Sequence, residues 1–116
     1  MAEITAQNKA ESGVTLTFTS ASSAATGDKW SNSGNELLLI KASGEGTVTI
    51  TVTAQTTNAS NEQYGTLTKA NATDSISNGE IIMMGPFPTQ AYNDSDGYAH
   101  VTTSSYSGIS IAVIQL

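Results

Sequence analysis

Along most of the chain apolar and polar residues alternate with a period of two, and no stretch carries a 3.6-residue apolar stripe. In Thr47-Val48-Thr49-Ile50-Thr51-Val52-Thr53-Ala54, the residues Val48, Ile50, Val52 and Ala54 share one side and threonines the other. Such a strand buries one face and wets the other, as antiparallel sheets do. Val14-Thr15-Leu16-Thr17-Phe18-Thr19 repeats the pattern and predicts a strand with Val14, Leu16 and Phe18 inward. Near the C-terminus Ile109, Ile111 and Val113 alternate with Ser110, Ala112 and Ile114. Leu37-Leu38-Leu39-Ile40 and Ile81-Ile82-Met83-Met84 are apolar throughout, too short for helices and bounded by turn formers. They predict strands covered on both faces, one face on the core and the other against a neighbouring subunit. Residues 98–103, and more weakly 64–68, complete the set of strands.

Turn-forming residues separate these runs. Ser43-Gly44-Glu45-Gly46 predicts a short hairpin between the first apolar run and the Thr-rich strand. Ser33-Gly34-Asn35, Asn78-Gly79, Gly85-Pro86, Asp96-Gly97 and Ser107-Gly108 punctuate the rest, with long loops expected over 20–35 and 86–97. Short strands at this spacing predict an all-β fold, an antiparallel β-sandwich of jelly-roll-like form. The polar, turn-poor stretch 1–12 reads as a flexible N-terminal arm, followed by a sandwich domain over 13–116.

The 116 residues suit one core without staples, and the absence of cysteine removes both disulfides and thiolate chemistry. Ser and Thr make up more than a quarter of the chain, which strengthens the strand-and-turn reading. Four lysines, no arginine and ten acidic residues give a net charge of −6. Lys9, Lys29, Lys41 and Lys69 are scattered, so no basic stripe exists for nucleic acid or for an anionic membrane surface. The N-terminus has neither a basic nor an apolar segment of the signal-peptide kind, and no apolar run is long enough to span a bilayer.

Little in the chain points to catalysis. His100 is the single histidine, and it reads as a partly exposed strand residue rather than as a general base. Asn93-Asp94-Ser95-Asp96-Gly97 opens like a calcium loop, making Asp94 and Asp96 candidate ligands. Twelve-residue loops of that kind close on a bidentate acid, whereas this chain continues Val101-Thr102-Thr103. No Gly-x-Ser-x-Gly elbow and no phosphate-cradling glycine loop is present, so no enzyme activity and no cofactor are expected. A small hydrolase would require His100 and a carboxylate to converge in a cleft. The aromatic residues make better candidates for contact. Trp30 in a polar stretch, Phe87 on the stiff Gly85-Pro86-Phe87-Pro88 segment, and Tyr92 and Tyr98 are candidate interface residues, as is Ile4 in the arm. Trp30 can equally plug the open end of the sandwich, and a coplanar exposed pair among Trp30, Tyr92 and Tyr98 would instead suit carbohydrate stacking.

The chain resembles the small head decoration, or cement, proteins of tailed bacteriophages. The resemblance rests on Gly27-Asp28-Lys29-Trp30, on Asn32-Ser33-Gly34-Asn35-Glu36-Leu37-Leu38-Leu39-Ile40-Lys41, and on Thr47-Val48-Thr49-Ile50-Thr51-Val52. It continues through Gly85-Pro86-Phe87-Pro88, Gly97-Tyr98-Ala99-His100-Val101 and Ile109-Ser110-Ile111-Ala112-Val113-Ile114. It implies a protein made in the host cytoplasm that binds the major capsid protein on the outer surface of the virion, often as a homotrimer, and stabilises the shell. Phage tail and fibre domains share such short β-rich patterns, and a carbohydrate-binding module is the alternative of a different class.

Overall fold

Buried and exposed positions alternate along the longest strands, and that alternation sorts them into two facing sheets. The computed structural model describes residues 2–23, 26–44, 46–55 and 70–116, together with the backbone of 58–61 and 65–68. Its strands are β1 (Ala2–Glu3), β2 (Ala6–Asn8), β3 (Thr19–Ser20), β4 (Asp28–Ser31), β5 (Glu36–Ala42) and β6 (Thr47–Val52). They continue with β7 (Asn58–Asn61), β8 (Gly65–Thr68), β9 (Ala72–Ser77) and β10 (Ile81–Met84). One helical turn, α1 (Thr89–Tyr92), precedes β11 (Tyr98–Thr103) and β12 (Ile109–Gln115).

The first sheet has the order β1-β4-β11-β6-β9, and the second has β10-β5-β12-β2 with β3 also paired to β12. Strands β7 and β8 form a separate hairpin. Leu38 and Ile40 from β5, Ile111 and Val113 from β12, Ile50 and Val52 from β6 and Val101 from β11 meet between the sheets as a closed apolar core. The protein is an all-β sandwich, jelly-roll-like in that its long strands switch sheet from β4 to β5, β5 to β6, and β9 through β12.

This alternation corrects the expected hairpin at 43–46, because β5 and β6 lie in opposite sheets and do not pair. Each buries alternate apolar residues, Leu38 and Ile40 in β5 and Val48, Ile50 and Val52 in β6, and these buried faces meet across the core. The connection is therefore an arch, pinned where Ser43 N–H donates to the Gly108 carbonyl at 2.8 Å.

The predicted strand over Val14-Thr15-Leu16-Thr17-Phe18 is also absent, since only Thr19 and Ser20 pair with β12. The adjoining length of that β12 edge is occupied by β2, in parallel register from Ala6 opposite Val113 to Asn8 opposite Gln115. Thr17 instead bonds a side chain. Its N–H donates to Gln7 Oε1 at 2.9 Å, and Gln7 Nε2 donates back to the Thr17 carbonyl at 2.7 Å.

Two further differences concern the N-terminal third. The loop expected over 20–35 contains β4, which places Trp30 in a strand, paired with Ala99. Within the expected arm Ala2–Glu3 and Ala6–Asn8 are strand-paired, β1 parallel to β4 and β2 parallel to β12. Of the expected strand over 64–68, Gly65–Thr68 is observed as β8, and Tyr64 lies outside the described residues.

Candidate functional site: an apolar sheet face

The two outer faces of the sandwich differ in chemistry. On the second sheet, β5 directs Leu38 and Ile40 inward and leaves Leu37, Leu39 and Lys41 outside. Register then aligns Met83, Leu39 and Ala112 in one row across β10, β5 and β12, and Leu37 with Ile114 in the next. Ile81 and Met83 are 59% and 64% exposed. Val14 and Leu16, displaced from the strand predicted for them, lie at the rim and are 50% and 39% exposed. With Ala10 and Ile114 they border a shallow depression of about 260 Å³. Two lysines accompany this face: Lys9 borders the same depression, and the Lys41 ammonium stands 5.8 Å from the Phe18 ring. Fully burying a side chain of the Ile or Met type contributes about 1.5–3 kcal/mol, so this face holds binding energy that folding leaves unused.

The outer face of the first sheet is a field of hydroxyls. Thr73, Thr51 and Thr102 align across β9, β6 and β11, with Ser75 beside Thr49 and Ser77 beside Thr47. At its β1 side, Glu3, Lys29 and His100 form one row.

Four of the five residues expected at an interface are interior. Ile4, Trp30, Phe87 and Tyr92 are all buried in the core. Trp30 and Phe87 meet edge to face with centroids 5.7 Å apart, and Phe87 meets Tyr92 likewise at 5.2 Å. This cluster plugs one end of the sandwich, where α1 and the 32–35 and 85–97 connections cross between sheets. The end is locked by Asn32, whose Nδ2 donates to the Phe87 carbonyl at 3.0 Å and to Asn93 Oδ1 at 2.7 Å. The area and rigidity that suit such rings to an interface suit them equally to the core. With Trp30 and Tyr92 buried, they offer no platform for stacking a sugar. Tyr98 is half-buried, with the Lys29 ammonium 4.3 Å from its ring centroid.

His100 and Asp94 do converge. Asp94 sits just before the turn into β11, and His100 lies two residues past Tyr98 on the same outer face. Their Nε2 and Oδ2 atoms are 2.6 Å apart. Asp94 Oδ1 accepts the N–H groups of Asp96 at 2.8 Å and Tyr98 at 3.0 Å. The hydrogen bond from His100, followed by that from the Tyr98 N–H, lowers the Asp94 pKa to about 2.

An imidazole oriented by a carboxylate is two-thirds of a nucleophilic triad. No hydroxyl among the described residues hydrogen-bonds His100 to complete it. Asp94 and Asp96 do not assemble a cation cage either, since among the described residues no group of three His, Cys, Asp or Glu side chains is placed to hold a metal ion. Asp94 Oδ1 is engaged in shaping the turn and Oδ2 in the contact with His100.

The apolar face was legible in part, because the runs at 37–40 and 81–84 were expected to be covered on both sides. Its extension through Val14 and Leu16 was not, because alternation alone cannot tell which strands win the β12 edge. No protein-family model, curated protein or solved structure matches this chain.

Proposed function

We propose that the protein is a structural binding protein of a phage virion, a decoration protein that attaches to the outer surface of the capsid and braces it. The observation that carries this reading is the outer face of the second sheet, where Leu37, Leu39, Ile81, Met83 and Ile114 stand together with Val14 and Leu16 at the rim. Ile81, Met83, Val14 and Leu16 are exposed and Leu37, Leu39 and Ile114 half-buried, and exposed apolar side chains grouped on one face mark an interaction site. Three depressions bordered by described residues, of about 260 to 290 Å³, are open and shallow.

Such a protein acts by mass action. A ligand that prefers the assembled shell over its dissociated subunits stabilises the shell, and repetition over a lattice multiplies weak contacts into avidity. The major capsid protein is the partner, and the homotrimer implied by the resemblance sets three copies of this face on one attachment point.

The experiment is co-sedimentation of the purified protein with expanded heads of the phage that encodes it, alongside a Val14→Asp/Leu16→Asp double variant. The wild type is expected to pellet with the heads and to raise their disassembly temperature. The variant, altered only at exposed positions, should keep its own melting temperature and lose at least tenfold in affinity, equivalent to about 1.4 kcal/mol. Wild-type protein that stays in the supernatant at all concentrations overturns the reading.

A further inference from the structure

Besides the two-residue β3, which shares the β12 edge with β2, the two sheets end in four strands, and these are not equally protected. Exposed edges are templates for further strand pairing, and proteins blunt them with short strands, charges, or coverage by other segments. In the first sheet β1 is two residues long and carries Glu3. The other end, β9, places Asp74 beside Ile50, a charge at an inward-facing position. In the second sheet β2 is three residues long, is followed by Lys9, and is braced by the Gln7–Thr17 bonds. β10 is short as well, four residues between Glu80 and Gly85-Pro86, but no side chain among the described residues braces it as Gln7 and Thr17 brace β2. Ile81-Ile82-Met83-Met84 contains no charge and no proline, and no strand of the described residues lies on its outer side.

The bonding pattern defines which groups are free. Ala42 N–H donates to the Glu80 carbonyl, so in β5 the alternate residues Ala42, Ile40 and Leu38 face β10. Ser43 N–H donates to Gly108 and Leu116 N–H to the Asn35 carbonyl, which turns the odd-numbered residues toward β12 and agrees with this phase. Ile82 and Met84 therefore exchange bonds with Ile40 and Leu38. The N–H and carbonyl groups of Ile81 and Met83 point out of the sheet edge.

We propose that β10 pairs antiparallel with β10 of a second copy of this chain, joining the two second sheets edge to edge about a twofold axis at Ile82. Two features select a second copy. First, the free groups are self-complementary. A twofold axis normal to the sheet sets Ile81 opposite the second copy's Met83 and Met83 opposite its Ile81. Each of those pairs exchanges two backbone bonds, and Ile82 faces its own counterpart. Second, the side chains match. On the outer face Leu39, Met83 and the second copy's Ile81 fall in one row, so the two most exposed large apolar residues of the described chain pack side by side and the outer face stays continuous across the pair. Glu80 comes opposite Met84 and not opposite itself, and its carboxylate is already engaged by the Ser77 N–H at 2.6 Å. The contact does not rest on the shell-binding reading.

Sedimentation velocity on the whole chain from micromolar to near-millimolar concentration tests this, with two variants. The wild type is expected to form an even-numbered species, either a dimer or, if a threefold contact is also present, a hexamer. Ile81→Lys/Met83→Lys sets two like charges opposite one another at exposed positions. It should melt as the wild type does while weakening the twofold contact at least a hundredfold. The chain has no cysteine, so Ile82→Cys reports the contact cleanly. Across the axis the two Cα atoms are a non-hydrogen-bonded pair about 4.5 Å apart, within disulfide range, and mild oxidation should yield a covalent dimer. A monomer throughout, an odd-numbered species alone, an even species unchanged by the two lysines, or an Ile82→Cys variant that does not cross-link would each overturn the proposal.

Discussion

Asp94 illustrates how one carboxylate in a short polar turn can be read two ways. In sequence it opens Asp94-Ser95-Asp96-Gly97 like a cation loop, and in the fold it closes a turn and orients His100. Both uses need the same oxygens close to the same glycine, so composition alone does not separate them. The pH dependence does. The hydrogen bond from His100 leads the causes that hold Asp94 at about 2, below the unfolded carboxylate value near 3.9. A depressed folded pKa contributes stability that is fully present above the unfolded value and is lost as pH falls through the folded one. The relevant window therefore lies between about pH 4 and pH 2. Asp94→Asn is expected to lower the melting temperature slightly at pH 6 and to flatten its decline below pH 4, the effect being small because the pair is partly solvated. Equal slopes for variant and wild type across that window would sink the assignment. Tyr98 carries the opposite sign, since its hydrogen bond with Glu3 raises its pKa. Its contribution is present below the unfolded tyrosine value and disappears as pH rises through the raised one.

Strands are legible where burial demands it of every second residue. Thr47–Val52, Ile81–Met84, Tyr98–Thr103 and Ile109–Gln115 are long enough or apolar enough that alternation or continuous hydrophobicity marks them. Asp28–Ser31 and Ala72–Ser77 escaped because each is mostly polar. Trp30 and Asp28 are the buried residues of the first, and Ile76 of the second. Asp28 is stable in the interior because its carboxylate takes the Ser22 N–H at 3.0 Å and hydroxyl at 2.7 Å, a tertiary partnership with no local signal. Connections were legible as turns but not as arches, since glycine permits both. The arches at 43–46 and 104–108 pass each other closely enough that a Cβ on Gly108, where φ is +74°, would come 2.6 Å from the Gly44 nitrogen. Gly108→Ala therefore meets both an unfavourable backbone conformation and a rigid backbone neighbour. It is expected to destabilise the domain by about 2 kcal/mol, read from the midpoint of chemical denaturation. Gly13→Ala has a similar φ of +92° with nothing within 4 Å, so it carries the conformational cost alone and should lose less.

For the molecule as a whole, the least legible feature is how its N-terminus joins the two sheets. Between Ala2 and Asn8 the one large apolar residue is Ile4, and parallel pairing leaves no hairpin signature in sequence. Yet β1 lies on β4 of one sheet and β2 on β12 of the other, so the chain crosses the side of the sandwich between Glu3 and Ala6. Ile4 is buried at the crossing and its N–H donates to the Lys29 carbonyl at 2.8 Å. Pairing of Ala2 with Asp28 and of Glu3 with Lys29 fastens the segment on one sheet, and Gln7 with Thr17 on the other. The clefts that flank this segment, about 290 and 260 Å³, leave Ile4 as its main apolar anchor. A free arm and a stitch differ sharply in what they contribute to stability. Ile4→Ala should cost about 2–4 kcal/mol if the segment joins the sheets, because a buried isoleucine loses its transfer energy and leaves a cavity. It should cost almost nothing if residues 2–8 hang free. Hydrogen exchange locates the effect: in the variant, amides of 3–8 and their partners on β4 and β12 should lose protection well before those of β5 and β6. Unchanged stability together with already unprotected amides at 3–8 in the wild type would return the segment to an arm.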